Sequence, residues 1–364
     1  MLVNRLHKII TVANALQLED PIFVDMRSPS EFQIGSIKGA VNIPLFSNEE
    51  RVLVGTTYKS VGAEDAKQQG LEIVSGKLPA IVQQIRTISQ KGSTVVVYCW
   101  RGGMRSRSVV GILDIMGIAA YQLLGGYKAY RRHILDKLGA FSLNPQVVVL
   151  CGSTGTGKTA VLELLGSKGI PVINLEKLAN HRGSVFGQIG LGSATTAPNF
   201  DVALLDELER YNDRPFIVVE CESKRVGKVY LPDFLYDAIK QGKKLLLITD
   251  IETRISRLME EYLDTYDKNQ PEILACIETL RKRLGNKKTE RLLDDFRQGH
   301  VREVVRTLLV KYYDPLYGYE GAAASYFDQT IFADDLHNAA EKIIEYLNQL
   351  GGTCYADSRG NIEK

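Results

Sequence analysis

The chain has 364 residues, 45% of them hydrophobic and 24% charged, and its formal net charge at pH 7 is +2. This composition is typical of a folded globular protein and excludes a disordered, collagen-like or coiled-coil chain. The length favours two domains of ordinary size. Because the net charge is small, binding to a polyanion would depend on local basic clusters.

Targeting signals and disulfide patterns are not evident in the sequence. The N-terminal segment lacks the continuous apolar region of a signal peptide, and no run of about 18 apolar residues occurs, so we expect a cytoplasmic protein that does not enter a membrane. The cysteines include no Cys-x-x-Cys pair, which argues against a disulfide framework or a zinc knuckle. They are Cys99, Cys151, Cys221, Cys276 and Cys354.

The first part of the chain predicts a small α/β domain. Between Pro21 and Leu138, the short apolar runs IFVD, TVVVY and AAYQLL alternate with the helical patterns LPAIVQQIRTISQ and SRSVVGILDIMG. The segment LGAFSLNPQ that follows is rich in turn-forming residues and predicts a linker. We therefore assign residues 1–140 to the first domain and place the boundary near residue 142.

A second alternation of strands and helices predicts a parallel-sheet domain over residues 145–350. Its strands are VVVLCG, PVINLE, PFIVVE and KKLLLITD, each separated by enough chain for a crossover helix. After Asp250, three amphipathic patterns predict helices: IETRISRLMEEYL, EILACIETLRKRL and VREVVRTLLVKYY. The polar segment 351–364 predicts a flexible tail.

The sequence VVVYCWRGGMRSRS ends a predicted strand at Cys99 and continues into a loop rich in glycine and arginine. Backbone N–H groups and a helix N-terminus meet at such a position and favour an anion and a thiolate. Arg101, Arg105 and Arg107 would stabilise the thiolate further, so we predict that Cys99 is a nucleophile. The alternative is a packed strand-end cysteine beside a surface turn. The predicted anion loop comprises Trp100, Arg101, Gly102, Gly103, Met104 and Arg105.

The segment VDMRSPSEFQIGSIKGAVNIPL resembles the first half of a rhodanese domain. The matching residues are Asp25, Arg27, Glu31, Phe32, Gly35, Ile37, Gly39, Ala40, Asn42, Ile43 and Pro44. The resemblance places Cys99 where that family holds its persulfide-carrying cysteine. Ser36 departs from the His of many members, and the Cys-x₅-Arg spacing from Cys99 to Arg105 is one residue longer than in most sulfurtransferases. The longer loop resembles the phosphatases that share the fold, although no acid within the loop is placed to protonate a leaving group.

A second loop, GSTGTGKT, follows an apolar strand and begins an amphipathic helix, as a Walker A loop does. We predict backbone donors around a diphosphate, Lys158 on its charge, and the Thr159 hydroxyl near a metal or a phosphate oxygen. A glycine-rich turn without a ligand is the alternative. The predicted diphosphate-binding residues are Gly152, Ser153, Thr154, Gly155, Thr156, Gly157, Lys158 and Thr159.

Two further segments could line the same pocket, because ligands of open α/β sheets bind at the C-terminal ends of the strands. Glu220 and Glu222 follow the strand PFIVVE, where a Walker B acid would hold Mg²⁺; a pair of solvated acids is the alternative. His181, Arg182 and Gly183 lie in the loop after PVINLE.

Together the two loops resemble the tRNA 2-selenouridine synthase family, in which a rhodanese-like domain precedes a P-loop domain. The resemblance covers nearly the whole chain and includes YCWRGGMRSRS, LLGGYKAYR, LANHRGSVFG, ECESKRVGKVYLP, LRKRLG and YYDPLYGY. At Cys221 the family pattern leads us to expect Asp, so Glu220 and Glu222 are left for metal or substrate binding.

This resemblance implies that the sulfur of 2-thiouridine at the wobble position of tRNA is replaced by selenium from selenophosphate. The thiouridine would first be S-alkylated with a geranyl group from geranyl diphosphate, which makes the sulfur a better leaving group. Cys99 would carry or position the selenium, as a selenol-type nucleophile or a perselenide, and the P-loop would hold the diphosphate. No tightly bound cofactor is implied, Mg²⁺ is a candidate ion, and the metal requirement and oligomeric state are left open.

Local basic clusters are candidates for binding tRNA. The segment YKAYRRH, with Lys128, Arg131 and Arg132, lies close in sequence to the cysteine loop and combines basic residues with tyrosines. The segment RKRLGNKK is interpreted more simply as a charged helix face. Trp100 could stack on the wobble base or a geranyl chain, or form a wall of the pocket.

Two other functions remain compatible with the sequence. One is a sulfurtransferase or rhodanese-fold phosphatase fused to a nucleotide-dependent kinase. The other is a non-catalytic RNA-binding or sensor protein that uses both loops only to bind anions.

Overall fold

A computed structural model describes residues 8–89, 93–319 and 326–351, except for the side chains of 262–268 and 351. The chain divides between Phe141 and Ser142 into two compact units. The remainder of the predicted tail, including Cys354, lies in residues 352–364, outside the described residues.

The first unit is built on a parallel sheet of five strands. They are β1 (Ile9–Ile10), β2 (Pro21–Asp25), β3 (Val41–Asn42), β4 (Thr94–Tyr98) and β5 (Ala120–Leu123), in the spatial order β1-β5-β4-β2-β3. Its helices are α1 (Val12–Leu16), α2 (Pro29–Ile34), α3 (Asn48–Ser60), α4 (Ala63–Ser75), α5 (Leu78–Ile88), α6 (Met104–Ile115) and α7 (Gly126–Gly139).

The central strand of this sheet is β4, and its residues Val95, Val96 and Val97 are all buried, as expected for a parallel strand covered on both faces. Strand β4 pairs in parallel with β2 on one side and β5 on the other. The next helix, α6, begins at Met104, two residues before the predicted start. The loop that carries Cys99 is therefore confined to five residues between the strand and the helix.

The second unit also contains a five-stranded parallel sheet. Its strands are β6 (Gln146–Cys151), β7 (Val172–Ile173), β8 (Phe216–Glu220), β11 (Lys243–Ile248) and β12 (Gln329–Phe332), in the order β12-β11-β6-β8-β7, and a hairpin joins β9 (Arg225–Val226) to β10 (Val229–Tyr230). Its helices are α8 (Lys158–Ser167), α9 (Leu175–Ala179), α10 (Ala197–Tyr211), α11 (Asp233–Gln241), α12 (Ile251–Thr279), α13 (Arg281–Leu284), α14 (Asn286–Arg297), α15 (Val301–Leu308), α16 (Asp314–Tyr317) and α17 (Leu336–Gly351). The predicted α/β fold with a largely helical C-terminal part is confirmed.

The helical part differs from the sequence prediction in where its helices begin and end. The first predicted helix and most of the second form the single helix α12, which continues through Pro271, and the end of the second forms α13. The proline removes one backbone hydrogen bond, but Ile255, Ile273 and Ile277 are buried in one cluster with α14 and α15. A π-helical turn, Leu309–Tyr313, follows α15. In the part of the chain described, no helix has the combination of length and apolar character needed to cross a bilayer.

Candidate functional site

Cys99 follows the last residue of β4 and lines an open pocket of about 450 Å³ at the start of α6. Its side chain is 3% exposed. The Sγ atom accepts a hydrogen bond from the N–H of Gly103 at 3.3 Å and lies 3.3 Å from the hydroxyl of Ser106. Gln122 holds the loop from β5 by donating to the carbonyl of Gly102 at 2.6 Å. The thiol thus contacts a backbone donor and lines an open pocket at the start of a helix.

Two glycines let this loop pack directly against the start of α7. Gly102 and Gly126 have φ values of +61° and +59°, in a region that favours glycine. The N–H of Tyr127 donates to the carbonyl of Cys99 at 2.8 Å. A Cβ atom on Gly126 would lie 2.2 Å from that same carbonyl oxygen. The glycines of the segment LLGGYKAYR therefore fix the cysteine loop from outside it.

Arginine side chains line the pocket, and one carboxylate contacts two of them. Arg51, Arg101 and Arg105 line the pocket, whereas Arg107 is exposed on α6. Glu31 accepts a hydrogen bond from Arg105 at 2.8 Å and lies 3.6 Å from Arg51. Burial by itself would raise the pKa of Glu31, but the bonds and charge of Arg105 and the charge of Arg51 lower it. Three cations against one anion leave the pocket suited to an anionic ligand.

The pocket also has an aromatic side, which is anchored by a buried ion pair. Arg27 and Asp25 are both buried and form a hydrogen bond of 2.6 Å. The guanidinium of Arg27 lies 3.9 Å from the ring centre of Tyr127, and Tyr127 in turn lies 5.8 Å from Trp100, ring centre to ring centre. Trp100 is 42% exposed. Its ring is therefore packed on one side and available for stacking.

In the second unit, the predicted P-loop, residues 152–159, joins the central strand β6 to α8. The ammonium of Lys158 donates to the carbonyl of Gly152 at 2.6 Å. The hydroxyl of Thr159 donates to the carboxylate of Glu176 at 3.1 Å. This is the strand-loop-helix arrangement that the sequence predicts for a diphosphate site.

Two arginines of α12 hold the P-loop by its carbonyl groups. Arg254 donates to the carbonyl of Thr154 at 2.8 Å and to the carboxylate of Asp314 at 2.6 and 3.1 Å. Arg257 donates to the carbonyl of Thr156 at 2.9 Å. Sequence reasoning missed both, although their spacing of three residues places them on one face of the helix.

Three carboxylates lie beside the P-loop. Glu220 is buried and accepts a hydrogen bond of 2.7 Å from the N–H of Glu176. Burial raises the pKa of Glu220 from 4.5 to about 8. Burial, together with the neighbouring carboxylates, also raises the pKa of Glu222. Among the described residues, no three His, Cys, Asp or Glu side chains form a group that could hold a metal ion.

The segment from His181 to Gly183 lies next to these acids. A Cβ atom on Gly183 would lie 2.5 Å from a carboxylate oxygen of Glu176, so glycine permits a close approach there. His181 accepts a hydrogen bond of 3.1 Å from the N–H of Gly183, and burial lowers its pKa. Arg182 forms an ion pair of 2.5 Å with Glu261. The structure therefore brings these predicted residues to the acids that adjoin Lys158 and Thr159.

Two thiols meet where β6 and β8 end. The N–H of Cys221 donates to the carbonyl of Leu150 at 2.9 Å, which places its side chain beside that of Cys151. A hydrogen bond from Cys151, helped by one with Tyr319 and opposed by burial, lowers the pKa of Cys221. The same hydrogen bond, followed by burial, raises the pKa of Cys151. Cys151 is buried at the end of β6 and also affects the pKa of its neighbour.

An apolar cavity of about 100 Å³ extends from the P-loop into the helical part. Thr154 of the P-loop lines it, and its other lining residues come mostly from α12, α14, α15 and the π-helical turn. The side chains lining it are almost all aliphatic or aromatic. Examples are Phe186, Ile189, Leu258, Met259, Ile277 and Val305. Sequence reasoning missed this cavity, because it forms only when distant helices pack together.

The predicted tRNA contacts occupy different environments. Lys128 is exposed on α7, while Arg131 is half-buried. Arg132 is exposed and forms an ion pair of 3.2 Å with Asp136 on the same helix. Lys128 and Arg132 are thus the two accessible candidates, and Arg132 is already paired with an acid.

The second basic cluster is partly neutralised. Arg281 binds Glu278 at 2.6 Å and Glu290 at 2.7 Å. Arg283 donates to the hydroxyl of Tyr312 at 3.2 Å. These contacts fit a structural helix face better than a phosphate-binding surface.

Comparison with known families gives two matches. Residues 145–350 match the family model described as "tRNA 2-selenouridine synthase AAA domain", and residues 10–133 match "Rhodanese-like domain". The predicted rhodanese-like and P-loop architecture is thereby confirmed.

Curated relatives named "tRNA 2-selenouridine synthase" are similar over most of the chain. The protein of Nitrosomonas europaea is 32% identical over 346 residues, with 83% of this chain and 90% of the relative covered. That of Hydrogenovibrio crunogenus is 35% identical, with 82% and 88% covered. Among solved structures, the N-terminal domain of a protein from Clostridium difficile 630 is 44% identical, with 35% of this chain and 99% of that chain covered and a TM-score of 0.34.

Proposed function

Because the chain belongs to the tRNA 2-selenouridine synthase family, we propose that it replaces the sulfur of 2-thiouridine at the wobble position of tRNA with selenium. The selenium comes from selenophosphate. The base first receives a geranyl group from geranyl diphosphate. The cysteine pocket serves selenium transfer and the P-loop serves geranylation.

The observation that carries this proposal is the apolar cavity beside the P-loop. Its volume of about 100 Å³ corresponds to the liquid volume of about three water molecules, so as it stands it has room for part of a short isoprenoid chain. A nucleoside would need hydrogen-bond partners for its base and ribose, whereas the polar side chains in this lining are those of Thr154, Ser184 and Tyr313, and the rest are apolar. The cavity therefore supports a prenyl diphosphate over a nucleotide.

In the geranylation step, the sulfur of 2-thiouridine forms a bond to C1 of the geranyl group. The bond from C1 to the diphosphate oxygen breaks, and the base loses its N3 proton. Lys158 and the P-loop N–H groups stabilise the charge that develops on the leaving diphosphate. Arg254 and Arg257 keep the loop in shape by binding its carbonyl groups.

In the selenium-transfer step, the selenium of selenophosphate forms a bond to C2 of the base, and the bond from C2 to sulfur breaks. The geranyl thiolate leaves and takes up a proton, and water accepts the phosphoryl group as phosphate. Arg51, Arg101 and Arg105 bind the selenophosphate anion beside Cys99. Cys99 positions the selenium for attack, and Trp100 supplies a stacking surface for the base. Lys128 is proposed to contact tRNA phosphates.

Mg²⁺ is a suitable companion of the diphosphate. The hydroxyl of Thr159 and the carboxylate of Glu176 lie 3.1 Å apart, and oxygen donors of this kind are those Mg²⁺ prefers, together with phosphate oxygens. Bound there, the ion would neutralise diphosphate charge.

Nucleoside mass analysis tests the proposal. Purified protein is incubated with 2-thiouridine tRNA, selenophosphate and geranyl diphosphate, and the tRNA is then digested. We expect 2-selenouridine from the wild type, S-geranyl-2-thiouridine accumulating in Cys99→Ala, and neither product in Lys158→Ala. ATP turnover without nucleoside change would contradict the proposal and favour a sulfurtransferase or phosphatase fused to a kinase.

A further inference from the structure

The first unit contains a second apolar depression, a groove of about 720 Å³ between α3, α4 and the start of α6. Its lining includes Val52, Tyr58, Leu71 and Met104, which are exposed despite being large and apolar. Exposed apolar side chains scattered singly are ordinary, but a contiguous patch of them marks a binding site.

The groove is continuous with the cysteine pocket. Arg51, Met104 and Arg105 line both of them. A ligand whose reacting atom lies beside Cys99 can therefore extend past Met104 into the groove without leaving the protein surface. Cations lie at the shared edge, and apolar side chains dominate beyond it.

The substrate of selenium transfer has a reactive centre and an apolar chain side by side, as the cysteine pocket and the groove do. The S-geranylated base has its reactive C2 atom next to a sulfur that carries an isoprenoid chain. When C2 approaches Cys99 and the anion held by the arginines, the chain has to lie nearby. Leaving it in water forgoes the free energy of apolar burial.

We infer that the groove between α3 and α4 binds the geranyl chain of the S-geranylated wobble base while selenium replaces the sulfur. This inference rests on the proposed function. It gives the geranyl group two binding sites during the reaction. The group binds beside the P-loop when it is transferred to the base, and beside Cys99 when it leaves with the sulfur. The groove thereby selects the alkylated base over unmodified 2-thiouridine.

The test distinguishes the contribution of the geranyl chain from that of the reacting base. Two anticodon stem-loop RNAs carry S-geranyl-2-thiouridine or S-methyl-2-thiouridine, and each is converted with selenophosphate alone. The variants are Val52→Gln and Leu71→Gln, at side chains that are 67% and 60% exposed. The matched control is Leu53→Gln, on the same helix as Val52, 50% exposed and outside the groove lining.

We expect the ratio of kcat/KM for the geranyl substrate to kcat/KM for the methyl substrate to fall roughly tenfold in each groove variant. The ratio should keep its wild-type value in Leu53→Gln. An unchanged ratio in the groove variants overturns the inference. If these variants also change self-association in sedimentation, the groove is instead a contact between protein molecules. If the wild type converts neither RNA, the proposed function itself fails.

Discussion

The guanidinium of Arg105 lies 2.8 Å from the carboxylate of Glu31, although 74 residues separate them in sequence. Glu31 belongs to α2, which follows β2, and Arg105 belongs to α6, which follows the cysteine loop. The ion pair therefore ties the rhodanese-like sequence motif to the loop that carries Cys99. It also sets the direction in which Arg105 and Arg51 present their charge to the pocket.

Glu31→Gln should weaken this arrangement. The pair is only partly exposed, so we expect a loss of about 1–2 kcal/mol in the free energy of unfolding of the first unit. Urea unfolding followed by the fluorescence of Trp100, the single tryptophan, measures it. Glu64→Gln, which removes an exposed ion pair with Lys67, should change the value by less than about 0.5 kcal/mol. Equal losses in the two variants would count against a special role for Glu31.

Gly126→Ala should disrupt the cysteine loop. A methyl group there would lie within 2.4 Å of both the carbonyl of Cys99 and the N–H of Gly102, and φ is positive. We expect a loss of more than about 2 kcal/mol, measured by the same Trp100 fluorescence. Gly111→Ala in α6 meets nothing within 4 Å and should gain up to about 1 kcal/mol. If both substitutions are tolerated, α7 does not fix the loop.

Arg254→Ala should weaken diphosphate binding without touching the ligand. The change removes the hydrogen bond to the carbonyl of Thr154, so the P-loop loses part of its preorganised shape. We expect the Kd for inorganic diphosphate, measured by calorimetry, to rise roughly tenfold. Asp314→Asn retains the bond to Thr154 and should keep nearly the wild-type Kd. Arg302→Ala, which removes an exposed partner of Glu252, is the control for charge alone.

Glu220→Gln should change how stability depends on pH. The folded-state pKa of Glu220 is raised to about 8 from 4.5, so its stabilising contribution is complete below pH 4.5 and is lost as the pH rises towards 8. The slope is at most about 1.4 kcal/mol per pH unit. The variant lacks the titrating proton, so its unfolding free energy should fall less between pH 5.5 and 8. A slope identical to the wild type would show that Glu220 does not hold the extra proton, and Glu163→Gln at an exposed position of α8 is the control.

Cys221 should be an unusually reactive thiol. Its pKa is lowered, first by the hydrogen bond from Cys151 and against the effect of burial. The rate of alkylation by iodoacetamide should therefore level off at a lower pH than for an ordinary cysteine. Cys151→Ala removes the donor and should move the midpoint to higher pH. If the midpoint does not move, the thiol pair does not control the reactivity, and peptide mass analysis assigns the modified cysteine.

Much of this protein could be predicted from its sequence alone, because the signals are local. The apolar run before Cys99 and the one before the P-loop predict buried parallel strands, and the glycines that follow predict tight loops. These patterns establish the fold class and the positions of Cys99 and Lys158, since a strand-loop-helix segment is determined by neighbouring residues.

Only the tertiary structure decided which distant side chains complete the two sites. Glu31 and Gly126 reach the cysteine loop, and Arg254 reaches the P-loop, through the packing of separate helices. The apolar cavity and the groove likewise arise between helices whose amphipathic patterns look like ordinary core-facing patterns in sequence. The periodicity of a sequence predicts that one face of a helix is apolar. Whether neighbouring residues cover that face or leave a cavity depends on how the helices pack.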